Sequence, residues 1–151
     1  MKLTNKVLSI LNSMLPPETP TEGVEYLQTV LYDSAWSTNV RIDRRPTPAA
    51  LLYLVTDWGL DIGSGTAKES AELEVFFFDR AKFDATGEEK DVIVSKMEKY
   101  AREFISLVLS DKSIRVLDDT VRLRSAYGQF DAFVVGVSVH LKLEVRQGEC
   151  I

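Results

Sequence analysis

The chain has 151 residues, 45% hydrophobic and 27% charged, with a formal net charge of −5; this is the make-up of one globular domain over 1–151, and it excludes a disordered or repetitive chain. An isoelectric point near 5.0 argues against a domain built chiefly to grip phosphates, so no specific nucleic-acid binding is expected. A single cysteine, Cys150, and a single histidine, His140, exclude an internal disulfide and a cysteine-rich zinc site, and no metal or other cofactor is expected.

Leu3, Val7, Ile10, Leu11 and Met14 share one helical face, and Pro16 and Pro17 end that helix near Leu15. The apolar run 7–15 is too short, and too broken by Ser9, Asn12 and Ser13, to span a membrane, so no membrane partner is expected. Residues 16–23 read as a linker. Residues 26–32 mix aromatic, Val and Thr side chains and read as a strand, with a short helix as the alternative. An edge strand is expected over 39–44, where Val40 and Ile42 alternate with charges before Pro46 and Pro48. Residues 51–58 form a mostly apolar strand, and the glycine-containing stretch 59–68 connects it to a strand over 71–79, as a hairpin.

Thr86 followed by Glu89 has capping-box spacing, and Ile93, Met97, Ala101, Phe104 and Val108 then recur at three- and four-residue steps, which predicts a long amphipathic helix to about Ser110. Val121–Tyr127 and a strand ending near Arg146 make a second hairpin about Gly128. In the last strand Val137, Val139, Leu141, Leu143 and Val145 face one side and Ser138, His140, Lys142, Glu144 and Arg146 the other. The order implies an α+β fold: an antiparallel sheet of about five to six strands with two helices packed mainly on one face. Phe104→Ala is expected to cost about 3–5 kcal/mol.

Candidate chemistry is thin. Gly63, Gly65 and Lys68 meet the spacing of neither a phosphate loop nor a dinucleotide fingerprint. Asp79, Asp84, Glu88, Glu89 and Asp91 lack calcium-loop spacing and suit the start of a helix. His140 has no partner close in sequence of the kind a catalytic base needs. Asp118 and Asp119 read as a turn. An enzyme would have to rely on carboxylates such as Asp57 and Asp61. No catalytic, cofactor-binding or metal-binding residue is assigned.

One pattern breaks the rule. On the outer face of the sheet Glu72 and Glu74 are polar as alternation demands, but Phe76, Phe78 and Val134 are apolar. Either the N-terminal helix or the Pro-rich segment covers them, or they form an interface with another subunit. Arg41, Arg44 and Arg45, beside the expected edge strand, suit the acidic 84–91 region of a neighbour, although arginine also protects sheet edges. On the interface reading Phe78→Glu leaves the fold intact and abolishes assembly.

The element order, with a short N-terminal helix, a proline-interrupted strand pair, the segment Ala71-Glu72-Leu73-Glu74-Val75-Phe76-Phe77-Phe78-Asp79 leading into a long helix, and a closing hairpin, resembles the small tail-terminator or tail-completion proteins of long-tailed bacteriophages and prophages. The stretch 16–32 is extra relative to that pattern. The resemblance implies a non-enzymatic virion subunit that self-associates into a ring, meets tail-tube and head-completion proteins, and resides in the virion tail after assembly in the bacterial host cytoplasm. The alternative is a small-ligand or peptide-binding module using the Phe76, Phe78 and Val134 patch.

Overall fold

The computed structural model describes residues 1–34, 45–63, 65, 67–129 and 133–146. In chain order the elements are α1 (Lys2–Asn12), β1 (Thr29–Asp33), β2 (Ala49–Tyr53), β3 (Trp58–Asp61), β4 (Lys68–Arg80), α2 (Gly87–Ser110), β5 (Ile114–Val116), β6 (Arg122–Gln129) and β7 (Val134–Arg146). The expected strand over 39–44, with Arg41 and Arg44, lies outside the described residues.

β4 and β7 are thirteen-residue strands that pair antiparallel along their whole length, from Lys68 opposite Arg146 to Arg80 opposite Val134. At about 3.3 Å per residue they form a ribbon of roughly 40 Å. Each outer edge of this ribbon carries two short strands end to end. β3 lies against Lys68–Ala71 and β2 against Val75–Phe78 of β4; β5 lies against the Leu143–Val145 end of β7 and β6 against its Val134–His140 end. β1 closes one side, parallel to β2.

Among the described residues the sheet is larger than the sequence suggests, with seven strands, and mixed because of the β1–β2 pair. The expected strand over 51–58 is two strands. The Leu54 N–H turns to the Asp33 carbonyl, 3.3 Å away, which takes the chain off the β4 edge until Trp58 rejoins it. The expected connection 59–68 accordingly loses Gly59, Leu60 and Asp61 to β3. The reading of 26–32 as strand holds for Thr29–Tyr32.

α2 begins with one half of the capping box, the Glu89 N–H donating to the Thr86 hydroxyl at 3.2 Å. The Thr86 hydroxyl itself donates to the Glu89 carboxylate. Met97, Ala101 and Phe104 are fully buried and Val108 nearly so, in one cluster with Val137, Val139, Leu141, Leu143 and Val145, and Phe77 tilts against Phe104 with ring centres 5.7 Å apart. Leu3, Val7 and Leu11 of the N-terminal helix, and Met14 just after it, join the same core. Both helices thus cover one face. α1 has no side-chain cap of its own; the buried Glu69 of β4 supplies one, its carboxylate accepting the Leu3 N–H at 2.9 Å, a negative charge at the positive end of the helix.

The other face is divided. Phe76 and Phe78 stack at 5.0 Å and, with Val134, Leu31, Ala49 and Leu51, form a second buried cluster flanked by half-buried Tyr53 and Ala126. Phe78 and Val134 are 0% exposed and Phe76 2%. This corrects the expectation of an apolar patch on the subunit surface: Leu31, Ala49, Leu51 and Val134 pack with Phe76 and Phe78, and the aromatics are buried within the chain. The N-terminal helix does not cover them, since it lies on the opposite face. The Pro-rich segment runs past the end of β4, where the Thr47 hydroxyl donates to Asp79 at 2.6 Å and the Arg80 guanidinium donates to the Arg45 carbonyl at 3.1 Å. Arg45 is exposed.

Gly136 stands opposite Phe78, where a Cβ would penetrate the Phe77 carbonyl and lie 2.8 Å from the Phe78 Cα. Only glycine lets the strands approach so closely.

Two predictions follow from this packing. Phe104→Ala should lower stability by about 3–5 kcal/mol through the cavity it leaves, and Phe78→Glu should abolish cooperative folding because it buries an unpaired charge. Urea titration followed by circular dichroism reads both. Tyr100, 5% exposed, has a hydroxyl without a hydrogen-bond partner among the described residues. Burial, aided by the charges of Glu25, Asp79 and Glu103, pushes its pKa up to about 12; Tyr53 is raised to about 12 by burial and then by Glu74. Protons bound more tightly by the folded state stabilise it below the unfolded pKa of about 10, and this stabilisation is lost as pH rises through about 12. Tyr100→Phe should match or exceed the wild-type urea midpoint at pH 8 and lose less of it at pH 11.

Candidate functional site

Beyond Phe76 and Gly136 the outer face turns polar. Register places Glu74 opposite His140 and Glu72 opposite Lys142, while β6 sets Arg122 beside His140 and Arg124 beside Ser138. The Ser138 hydroxyl donates to Glu74 Oε1 at 2.7 Å, and His140 Nε2 lies 3.2 Å from the same oxygen. A depression of about 220 Å³, lined in part by Glu72, Asp118, Thr120, Arg122 and His140, opens next to them.

These residue types invite a catalytic reading, but the geometry answers it. A nucleophilic array places histidine between the hydroxyl and the acid, so that the imidazole takes the hydroxyl proton. Here serine and histidine converge on one carboxylate oxygen. The arrangement locks neighbouring strands by cross-strand hydrogen bonds. His140 does have the partner that its sequence neighbourhood lacks; Glu74 is brought to it only by strand register.

The remaining sequence candidates are dispersed. The Gly63 N–H donates to Asp61 at 3.0 Å. Asp79 receives the Thr47 hydroxyl and the Arg80 N–H, Asp91 the Tyr127 hydroxyl at 2.8 Å, and Asp118 the Lys142 N–H at 2.9 Å. Among the described residues no three His, Cys, Asp or Glu side chains come together to hold a metal ion, and no helix is long and apolar enough to cross a membrane.

Apolar side chains do stand in solvent, at the edges of the sheet. All four residues of β3 are exposed. Trp58 is 48% exposed, Leu60 51% and Ile62 73%; register sets Trp58 and Leu60 opposite Ala71 and Glu69, on the helix-bearing face. On the opposite edge β6 alternates exposed Arg122 and Arg124 with exposed Leu123, and a groove of about 410 Å³ runs beside Leu123, between Ile105, Ser106 and Leu109 of α2. At the far end of the ribbon Phe83 and Phe133 meet edge to face at 5.3 Å, largely exposed. Sequence reading misses the β3 edge because Trp58 falls at the end of a mostly apolar strand and Leu60 in the connection after it. The alternation of Trp58 and Leu60 about Gly59 is the signal that marks it.

Compared with models of known protein families and with curated protein sequences, the chain matches none.

If the serine is a strand-locking donor, it carries no activated oxygen. An organophosphorus fluoride probe should leave Ser138 unlabelled by intact-mass and peptide spectrometry; a stoichiometric adduct at Ser138 would overturn the structural assignment of this cluster.

Proposed function

We propose that the chain is a non-enzymatic subunit of a phage or prophage tail, a tail terminator or tail-completion protein at the head–tail junction, that acts by ring-like self-association. One observation carries this reading beyond the resemblance in element order: the β3 edge, with Trp58, Leu60 and Ile62 in solvent. Unpaired strand edges invite pairing with another chain, and proteins that remain monomeric blunt them with charge, proline or a covering segment. An edge that keeps a tryptophan and a leucine exposed is suited to a partner.

On this reading the partners are further copies of the chain, then tail-tube and head-completion proteins, and the site of action is the virion tail after assembly in the host cytoplasm. The ring contact moves from Phe76, Phe78 and Val134, which are buried, to the sheet edges. A ligand- or peptide-binding module using those three residues loses its surface for the same reason.

Trp58→Ser with Leu60→Lys should keep the wild-type circular dichroism spectrum, because both side chains are exposed, and should abolish the concentration-dependent association expected of the wild type in sedimentation velocity as well as the capping of purified tail tubes. A wild-type chain that stays monomeric at millimolar concentration and leaves tail tubes uncapped would refute the proposal.

A further inference from the structure

The two exposed edges differ in charge and match face by face. On the outer face of β3 stands Asp61, opposite Lys68, with Asp57 at the entrance to the strand; on the outer face of β6 stand Arg122 and Arg124, opposite His140 and Ser138. On the helix-bearing face β3 presents Trp58 and Leu60, and β6 presents Leu123, opposite Val139, with the groove beside it. All seven of these side chains are exposed. Along an antiparallel edge strand alternate residues turn their N–H and C=O groups outward, and among the described residues no strand meets the outer edge of either β3 or β6.

Direction agrees as well. β3 is antiparallel to β4, β4 to β7 and β7 to β6, so β3 and β6 run in opposite directions within one subunit. A second copy in the same orientation therefore brings its β6 alongside β3 as an antiparallel neighbour, with outer face continuing outer face.

We propose that β3 of one copy adds to β6 of the next, extending the sheet from subunit to subunit: Asp57 and Asp61 meet Arg122 and Arg124 on one face, and Trp58 enters the groove beside Leu123 on the other. This rests on the assembly reading above and names its contact. The two edges are unlike, so the contact is head to tail and can close into a ring. β3 and β6 sit at opposite ends of the ribbon, offset by roughly seven residues or about 25 Å along the strands. Ring closure then requires the strands to run obliquely to the ring axis, as staggered strands do in a closed barrel. Charge sets the orientation, and the buried tryptophan holds the contact.

The test uses two reversed edges, Asp57→Lys with Asp61→Lys, and Arg122→Glu with Arg124→Glu. Each variant alone should sediment as a monomer where wild type associates, with an unchanged circular dichroism spectrum. An equimolar mixture should regain wild-type association, because each reversed edge then faces its complement. Wild-type-like association of either variant alone, or a mixture that stays monomeric, overturns the edge pairing and leaves self-association standing; a monomeric wild type overturns the assembly reading itself. Should the charge changes disturb folding, Leu60→Cys with Leu123→Cys in a Cys150→Ser background decides the matter. Oxidation should give a ladder of disulfide-linked oligomers on a non-reducing gel, and monomer alone refutes the pairing.

Discussion

Everything in this structure hangs on the antiparallel pairing of β4 with β7. The ribbon supplies the floor on which α1 and α2 lie, and both of its edges serve as templates, each for two short strands placed end to end. Close approach at Gly136 permits the crossing at Phe77 and Phe78. A side chain at that point would part the strands where apolar residues crowd both faces. The helix-side core, built around Phe77, Phe104 and Met97, and the outer cluster, built around Phe76 and Phe78, then form back to back through one sheet.

The outer face divides into an apolar cluster and a polar stretch along the same two strands. Beside Phe76 and Phe78, β2 and β1 add Ala49, Leu51 and Leu31 to one apolar cluster on this face. At Glu72 and Glu74, between the β3 and β2 pairings, that edge of β4 has no strand partner among the described residues, and the same face carries charged side chains. Glu74 sits at the boundary and binds its polar neighbours Ser138 and His140 through one oxygen. These polar residues hold one another across neighbouring strands.

A sheet whose edges are formed by short segments leaves backbone groups unpaired. Such edges are protected in solitary proteins by charge or covering chain. β6 places exposed Leu123 between Arg122 and Arg124, and β3 places Trp58 and Leu60 between Asp57 and Asp61, so the two edges carry opposite charge. The contrast gives the molecule two unlike edges, and unlike edges favour open chains or rings over two-fold dimers.

Local order along the chain was enough to determine α2, whose cap at Thr86 and stripe from Ile93 to Val108 rest on backbone geometry within a few residues, and the alternation of β7, which depends only on the pleat. It also marked Phe76, Phe78 and Val134 as anomalous. What those residues do was decided by tertiary structure, because a side chain that violates alternation looks the same in sequence whether another strand or another molecule buries it. The break at residues 54–57, the capping of α1 by Glu69, the need for glycine at 136 and the pairing of Glu74 with His140 each join positions distant in the chain. Only strand register brings them within a few ångströms, and register is set by how β4 and β7 meet.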